Sequence, residues 1–137
     1  MSKASHRKVL YIDDDIDDRF LLSTSFAEAR AKADLVCTSG PEEAFSYLNS
    51  LDENSLPSLI VLDLNMPKIN GRETLSYLKS TPAFADIPVV ILSTSSSNTE
   101  KEACKNLGAA SYVEKPMHMS GYVDMVRNFI SLMKITD

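Results

Sequence analysis

Residues 59–75 read LIVLDLNMPKINGRETL, a stretch that combines a strand pattern, a loop and the start of a helix. The first four residues are all apolar, which is typical of a parallel strand that is covered on both faces. Asp63 follows this run directly, and the loop after it contains a proline and a glycine, residues that favour turns. Leu75 and Leu78 then fall on one face of a helix. The stretch therefore predicts a strand–loop–helix unit with a carboxylate at the end of the strand.

The same unit recurs along the chain. The runs suited to strands are VLYI, LVC, LIVL, VVIL and SYV, at residues 9–12, 35–37, 59–62, 89–92 and 111–113. Helical patterns follow them, and we expect Asp17 or Asp18 to open the first helix and Asn98 the fourth. Pro41 is favourable in the first turn of the second helix, and Gly108 is expected to end the fourth. Alternating strands and helices predict a doubly wound α/β sheet with right-handed crossovers.

Size and composition favour one ordinary globular domain. The chain has 137 residues, of which 44% are hydrophobic and 24% are charged. No apolar run is long enough for a membrane span or a signal peptide, so we expect a cytoplasmic protein. The net charge of −5 argues against nucleic acid and anionic membranes as partners, because both require basic surfaces. Cys37 and Cys104 lack metal-binding or CxxC spacing and are expected to be buried free thiols.

Polar side chains follow most of the predicted strands. They are Asp13 and Asp14 after the first strand, Asp63 after the third, Ser93 after the fourth and Lys115 after the fifth. Each has an ordinary alternative explanation as a helix cap, a turn residue, a loop residue or a surface lysine. In a doubly wound sheet, however, the carboxyl ends of the strands border the ligand site. Their joint position therefore favours one shared site.

Three neighbouring carboxylates repel one another unless a cation neutralises them. Oxygen ligands favour Mg²⁺ or Mn²⁺ over zinc. A carboxylate in such a site can attack a phosphoryl group and form an aspartyl phosphate. A lysine and a hydroxyl can stabilise the oxygens of the transferred group. The strand ends therefore indicate phosphoryl-transfer chemistry that depends on a divalent cation.

Four motifs occur in the order and spacing of the receiver domain of two-component response regulators, which the chain resembles. They are YIDDD at 11–15, LIVLDLNMPKINGRETL at 59–75, PVVILSTSSS at 88–97 and SYVEKP at 111–116. The resemblance extends from about Val9 to Met133. It implies a single receiver domain over residues 1–137, with its core at about 8–134 and no output domain. It also implies a flavodoxin-like, CheY-like fold with a five-stranded parallel sheet in the order 2-1-3-4-5.

The resemblance assigns metal and acceptor roles to the residues at the strand ends. Asp63 corresponds to the phosphoacceptor. Asp14 corresponds to a direct ligand of Mg²⁺, together with Asp63 itself and the backbone carbonyl of Asn65. Asp13 corresponds to a residue that acts on the metal through water. Mg²⁺ is the expected ion, and Mn²⁺ is an alternative.

Further roles follow from the same resemblance. Ser93 corresponds to the switch hydroxyl, and Tyr112 corresponds to the aromatic residue that reports the switch. Lys115 corresponds to the phosphate-binding lysine, and Pro116 to a proline that in the family usually follows a cis peptide bond. The other three aspartates within residues 11–20 are expected to form a solvated helix start, where the helix dipole favours negative charge. A direct metal-ligand role for Asp17 is the alternative.

These assignments imply a stand-alone response regulator, since only KITD follows the last helical pattern. It would accept a phosphoryl group on Asp63 from a sensor histidine kinase or a phosphotransfer protein. It would then signal by altered binding of a protein target through the fourth helix, fifth strand and fifth helix, and a homodimer stays open. Beyond its own phosphotransfer and autodephosphorylation, it is not expected to be an enzyme.

Two alternatives have different chemistry. The first is an Mg²⁺-dependent phosphohydrolase with an aspartyl-phosphate intermediate. Such enzymes commonly carry an Asp-x-Asp motif, and Asn65 stands here where the second acid would be. The second alternative is a scaffold that works without phosphorylation, which the intact Asp14, Asp63 and Lys115 disfavour.

Overall fold

The structure is a computed structural model that describes residues 7–133. Its strands are β1 (Lys8–Ile12), β2 (Asp34–Thr38), β3 (Leu59–Asp63), β4 (Val89–Ser93) and β5 (Ser111–Glu114). Its helices are α1 (Ile16–Ala29), α2 (Pro41–Asn49), α3 (Gly71–Ser80), α4 (Asn98–Asn106) and α5 (Met119–Leu132), with a short 3₁₀ turn at Glu53–Ser55. The strands form one parallel sheet in the order β2-β1-β3-β4-β5, which confirms the predicted flavodoxin-like order. The KITD segment lies outside the described residues, and its first residue, 134, is the predicted end of the core.

The sheet is covered on both faces. Because successive strand residues point to opposite sides, Val9 and Tyr11 pack with residues of α1 and α5. Leu10 and Ile12 pack on the other side with residues of α2, α3 and α4. All residues of β3 and β4 are buried. This burial explains why their sequences are continuous apolar runs rather than alternating ones.

Two helix starts are corrected by the structure. Asp15 caps α1, since its carboxylate accepts hydrogen bonds from the backbone N–H groups of Asp17 at 2.8 Å and Asp18 at 3.4 Å. The predicted opening residues therefore lie within the first turn. In α4, Ser97 rather than Asn98 is the cap. In both cases the capping residue keeps an extended backbone and lies just before the first helical residue.

Two expectations about the whole chain concern its thiols and its apolar segments. Cys37 and Cys104 are free, as predicted. Cys104 is a residue of α4 and is buried in the core, whereas Cys37 is only half-buried, so its predicted full burial is wrong. Within residues 7–133, no helix combines the length and the apolar character that are needed to cross a membrane.

Gly108 follows α4 with a φ of +106°, a conformation that L side chains rarely adopt. A Cβ atom at this position would lie 3.1 Å from the Cγ atom of Lys79. We expect Gly108→Ala to lower the free energy of unfolding by about 1–2 kcal/mol. Urea unfolding of the variant and the wild type measures this difference.

Gly40→Ala is the matched control for that measurement. Gly40 has an extended backbone with a φ of 173°, and a Cβ atom there would meet Ile69 at 3.5 Å, an ordinary contact. We expect this variant to unfold at the wild-type urea concentration or slightly above it. Equal stability of Gly108→Ala and Gly40→Ala would contradict the conformational argument.

Candidate functional site

The carboxylates that follow β1 and end β3 meet at one edge of the sheet. Ligand oxygens of Asp13, Asp14 and Asp63 all lie within 4.8 Å of one another. Their proximity follows from the pairing of β1 with β3, in which Ile12 lies opposite Leu62. Asp13 and Asp63 are 0% and 1% exposed, whereas Asp14 is exposed. The structure therefore brings together the three acids predicted to form a metal site.

Asp13 is held in place by its neighbours. The hydroxyl of Tyr11 donates a hydrogen bond to its carboxylate at 2.5 Å, and the N–H of Asp15 donates another at 2.9 Å. The Arg19 guanidinium donates a hydrogen bond to the backbone carbonyl of Asp13 at 2.7 Å. The pKa of Asp13 is raised to about 7. Burial is the largest cause, the two hydrogen bonds to the carboxylate oppose it, and the nearby carboxylate of Asp63 adds to it. Tyr11 and Arg19 are positioning residues that the sequence analysis missed.

The carboxylate oxygens of these three acids are suitable ligands for a hard divalent cation. Carboxylate oxygens are the ligands that Mg²⁺ and Mn²⁺ prefer, and two of the three acids here are buried. The side chain of Asp13 already accepts two hydrogen bonds. The carboxylate of Asp14 is exposed to solvent. Direct binding of a metal by Asp14, with Asp13 acting through water, stays a prediction.

Asn65 lies beside the acceptor and is fixed from two sides. Its backbone N–H donates to the carboxylate of Asp63 at 3.1 Å. Its side-chain oxygen accepts a hydrogen bond from the N–H of Thr94 at 2.8 Å. This position borders the acids, and the use of its backbone carbonyl as a metal ligand stays a prediction.

Lys115 lies between two carboxylates. Its Nζ atom is 2.9 Å from Asp63 and 3.1 Å from Asp18. Burial by itself lowers the pKa of Lys115, but the contacts with both carboxylates outweigh it and the net effect is a rise. Asp18 was predicted only as part of a solvated helix start. The structure corrects this, because its side chain is 28% exposed and pairs with the lysine.

The Lys115–Pro116 peptide bond is trans, since no peptide bond within residues 7–133 is cis. The predicted cis bond is therefore wrong for this structure. The trans form of an X–Pro bond is favoured by about 0.5–1 kcal/mol. With the trans bond, the backbone N–H of Lys115 donates to the carbonyl of Ser93 at 2.7 Å and its ammonium contacts Asp63.

The hydroxyl groups of Ser93 and Tyr112 share two partners, Glu100 and the backbone of Ser95. The Ser93 hydroxyl is fully buried, donates to Glu100 at 3.1 Å and accepts from the N–H of Ser95 at 3.0 Å. Since a hydroxyl has one proton to donate, Ser93 does not donate to Asp63 in this arrangement. The Tyr112 hydroxyl contacts the carbonyl of Ser95 at 2.8 Å and also donates to Glu100.

Glu100, in the first turn of α4, contacts two of the predicted site residues and was not identified from the sequence. The spacing of Ser97 and Glu100 matches a capping box, in which the acid reaches back to the cap. That spacing draws attention to Glu100, but it predicts a local contact. Here the side chain instead contacts Ser93 and Tyr112.

An open cavity of about 450 Å³ adjoins the acids on the solvent side. Its lining consists of Asp14, Asp15, Asp18, Asn65, Pro67 and Lys115. Asp63 lies beneath this lining, in contact with Lys115. A group that approaches Asp63 through the cavity would therefore pass both negative and positive side chains.

Comparison with known proteins decides the family. The family model described as the response regulator receiver domain matches residues 9–127. The chain belongs to this family. Receiver domains are components of two-component systems and are generally not catalytic enzymes. The CheY-like resemblance on the four sequence motifs is thereby confirmed.

The receiver domain is similar to proteins along nearly its whole length. Response regulator Rcp1 of Synechocystis sp. PCC 6803 is 29% identical over 126 residues, which are 90% of this chain and 86% of Rcp1. The crystal structure of response regulator RPA3017, in red light signaling of R. palustris, has a TM-score of 0.84 and 28% identity and covers 96% of both chains.

Two further structures bear on the chemistry of this fold. The phosphorylated cyanobacterial phytochrome response regulator RcpA is 32% identical with a TM-score of 0.80, over 93% of this chain and 94% of RcpA. The Mn²⁺-bound form of Rcp1 is 29% identical with a TM-score of 0.78, over 96% of this chain and 97% of Rcp1. One relative has therefore been solved phosphorylated, and another with a divalent metal.

Proposed function

We propose that this receiver domain is a stand-alone, cytoplasmic response regulator that is phosphorylated on Asp63. The donor would be a sensor histidine kinase or a phosphotransfer protein, and the output would be altered binding of a protein target. The observation that carries the proposal is the 2.9 Å contact between Lys115 and Asp63 beside the other acids. The matches to Rcp1 and RPA3017, both response regulators, support the proposal.

The proposed transfer uses the Asp63 carboxylate as the nucleophile. One of its oxygens attacks the phosphorus of a phosphohistidine, a P–O bond forms, and the P–N bond breaks with its electron pair left on the imidazole nitrogen. Lys115 would contact the phosphoryl oxygens that arise beside Asp63, where its positive charge stabilises them. Asp18 keeps the same lysine near the cavity before transfer.

Asp14 and Asp63 would hold Mg²⁺ directly, with the carbonyl of Asn65 as a further ligand and Asp13 acting through water. When bound, the ion supplies positive charge that neutralises the acids and the transferred phosphoryl group. The donor set supports this assignment because its oxygens lie within 4.8 Å of one another. Mn²⁺ has the same preference for oxygen ligands.

Incubation with acetyl phosphate or a phosphorylated histidine kinase in the presence of Mg²⁺ tests the proposal. Intact-mass spectrometry should detect the addition of one phosphoryl group, which hydroxylamine removes because an acyl phosphate is reactive towards it. An unmodified protein under both conditions would contradict the proposed function.

We propose that the signal leaves through the surface formed by α4, β5 and α5. The Lys101 ammonium lies 5.8 Å from the centre of the Tyr112 ring, and Lys105 is exposed on the same helix. A movement of Tyr112 would therefore change the charge and shape of this surface. A protein target or a second copy of the chain would bind there.

Ser93→Ala is expected to accept the phosphoryl group but to pass on the signal poorly. Without the hydroxyl, nothing at this position moves toward the phosphoryl oxygens, although Asp63 and Lys115 remain. Initial labelling should stay close to the wild-type rate, whereas the change in self-association or target binding should fall about tenfold. Sedimentation with and without beryllofluoride, a phosphoryl mimic, measures the second effect. Ser96→Ala, at an exposed serine of the same loop, is the control, and full signalling by Ser93→Ala would refute the switch role.

A further inference from the structure

We propose that Glu100 is a latch that holds Ser93 and Tyr112 in the unphosphorylated arrangement, and that phosphorylation of Asp63 must release it. The inference rests on the proposed function, because it concerns the response to a phosphoryl group on Asp63. One carboxylate oxygen of Glu100 accepts hydrogen bonds from both Ser93 and Tyr112. The latch thus consists of Glu100, Ser93 and Tyr112.

The Ser93 hydroxyl can serve only one acceptor at a time. It has a single proton to donate, and that proton now lies toward Glu100 at 3.1 Å. Binding of Ser93 to a phosphoryl oxygen on Asp63 therefore requires that its hydrogen bond to Glu100 break. Glu100 and the phosphoryl group compete for the same donor.

The Tyr112 hydroxyl is retained by the same carboxylate. It donates to Glu100, and the carbonyl of Ser95 lies 2.8 Å away. Burial and the hydrogen bond to Glu100 raise the pKa of Tyr112 against the opposing contacts with Ser93 and Ser95, which agrees with a hydroxyl held against a carboxylate. Displacement of the Glu100 carboxylate from Ser93 also displaces the acceptor of Tyr112, because both hydroxyls donate to the same oxygen. The common acceptor therefore couples the two switch residues to each other.

The cap of α4 explains why the side chain of Glu100 is available for this contact. In a capping box, the acid would accept a hydrogen bond from the backbone N–H of the cap residue. Here the N–H of Ser97 donates instead to the hydroxyl oxygen of Ser95 at 3.0 Å. The Ser97 hydroxyl still accepts from the N–H of Glu100 at 3.3 Å, so α4 is capped without use of the Glu100 carboxylate.

The latch also connects the site to the proposed output surface. Glu100 lies in the first turn of α4 next to Lys101, whose ammonium is near the Tyr112 ring. Release of Glu100 would free the first turn of α4 and Tyr112 together. The first turn of α4 is therefore the part of the surface that should change when Asp63 is phosphorylated.

Glu100→Gln tests the latch because it keeps the shape of the side chain and removes its charge. Hydrogen bonds to a neutral acceptor are weaker than those to a carboxylate, so the unphosphorylated arrangement should lose stability relative to the activated one. With Mg²⁺ present, we expect Glu100→Gln to bind beryllofluoride about fivefold more tightly than the wild type. Glu102→Gln is the matched control, because it removes the same charge from an exposed position of the same helix. The affinity of Glu102→Gln for beryllofluoride should stay within about twofold of that of the wild type.

A second measurement needs no phosphoryl mimic. NMR signals of the Tyr112 ring, identified by their loss in Tyr112→Phe, report its environment in the free protein. In Glu100→Gln they should shift toward the positions seen in the beryllofluoride-bound wild type, and in Glu102→Gln they should not. Combined with Tyr112→Phe, the effect of Glu100→Gln on beryllofluoride affinity should be less than additive, because the two residues share one contact.

The outcomes separate the latch from the proposed function. If the wild type and Asp63→Asn respond alike to beryllofluoride, the proposed function fails and the latch fails with it. If the wild type binds at Asp63 but Glu100→Gln binds no more tightly than Glu102→Gln, only the latch is overturned. Tighter binding with unchanged Tyr112 signals would overturn it as well.

Discussion

Asp63→Asn is expected to reduce phosphorylation by acetyl phosphate or a cognate kinase to below detection. Asparagine has nearly the shape of aspartate but lacks the negative oxygen that attacks phosphorus. The adjacent acids do not replace it, because the side chain of Asp13 is buried against Tyr11 and Lys115 contacts Asp63 rather than Asp14. Intact-mass spectrometry after a fixed incubation measures the loss.

The variant should remain folded, which makes the loss interpretable. Asp63 is 1% exposed, so the substitution removes a buried carboxylate that lies near two other acids, and Lys115 keeps its contact with Asp18. Urea unfolding checks this expectation. Asp86→Asn, at an exposed aspartate away from the acids, should be labelled like the wild type. Undiminished labelling of Asp63→Asn would contradict the assignment of the acceptor.

Asp14→Ala is expected to lose metal-dependent phosphorylation. Asp14 is the exposed member of the three acids and the predicted direct ligand of Mg²⁺. Without it, the phosphoryl charge at Asp63 is neutralised by Lys115 but poorly by a bound metal. Because a metal ion supplies several kcal/mol of charge stabilisation, the rate at saturating donor should fall by at least about 100-fold.

A titration with Mg²⁺ distinguishes this role from a general effect of charge. Asp17→Ala removes an exposed acid from the first turn of α1, outside the group of three, and should keep the wild-type dependence on Mg²⁺. The phosphorylation rate of Asp14→Ala should change little as Mg²⁺ is added. Normal phosphorylation of Asp14→Ala in EDTA would contradict the whole metal site.

The sequence alone was sufficient for the elements and their class. The apolar runs of β3 and β4 predicted strands covered on both faces, and every residue of both strands is buried. Burial in a parallel sheet depends on local composition, which a single sequence displays. The order of strands in the sheet came from the resemblance, because apolar periodicity does not specify which strands are neighbours.

The meeting of the acids was also predictable from sequence. Asp13 and Asp14 follow β1 and Asp63 ends β3, and parallel strands present their carboxyl ends at the same edge of a sheet. Once the two strands are neighbours, these residues must be close. Lys115 after β5 follows the same rule, although its contact distance to Asp63 could not be predicted.

Tertiary structure alone decided which partners the side chains have at that edge. Asp18 and Lys115 are 97 residues apart in sequence, and Glu100 contacts both Ser93 and Tyr112 from a different element. Local spacing predicted a solvated helix start for Asp18, and the spacing of Glu100 from Ser97 favours a local contact. An acidic side chain at a helix start can take a local partner or a distant one. The choice depends on how the helix lies against the sheet, because only the packed fold brings the distant partner within hydrogen-bonding distance.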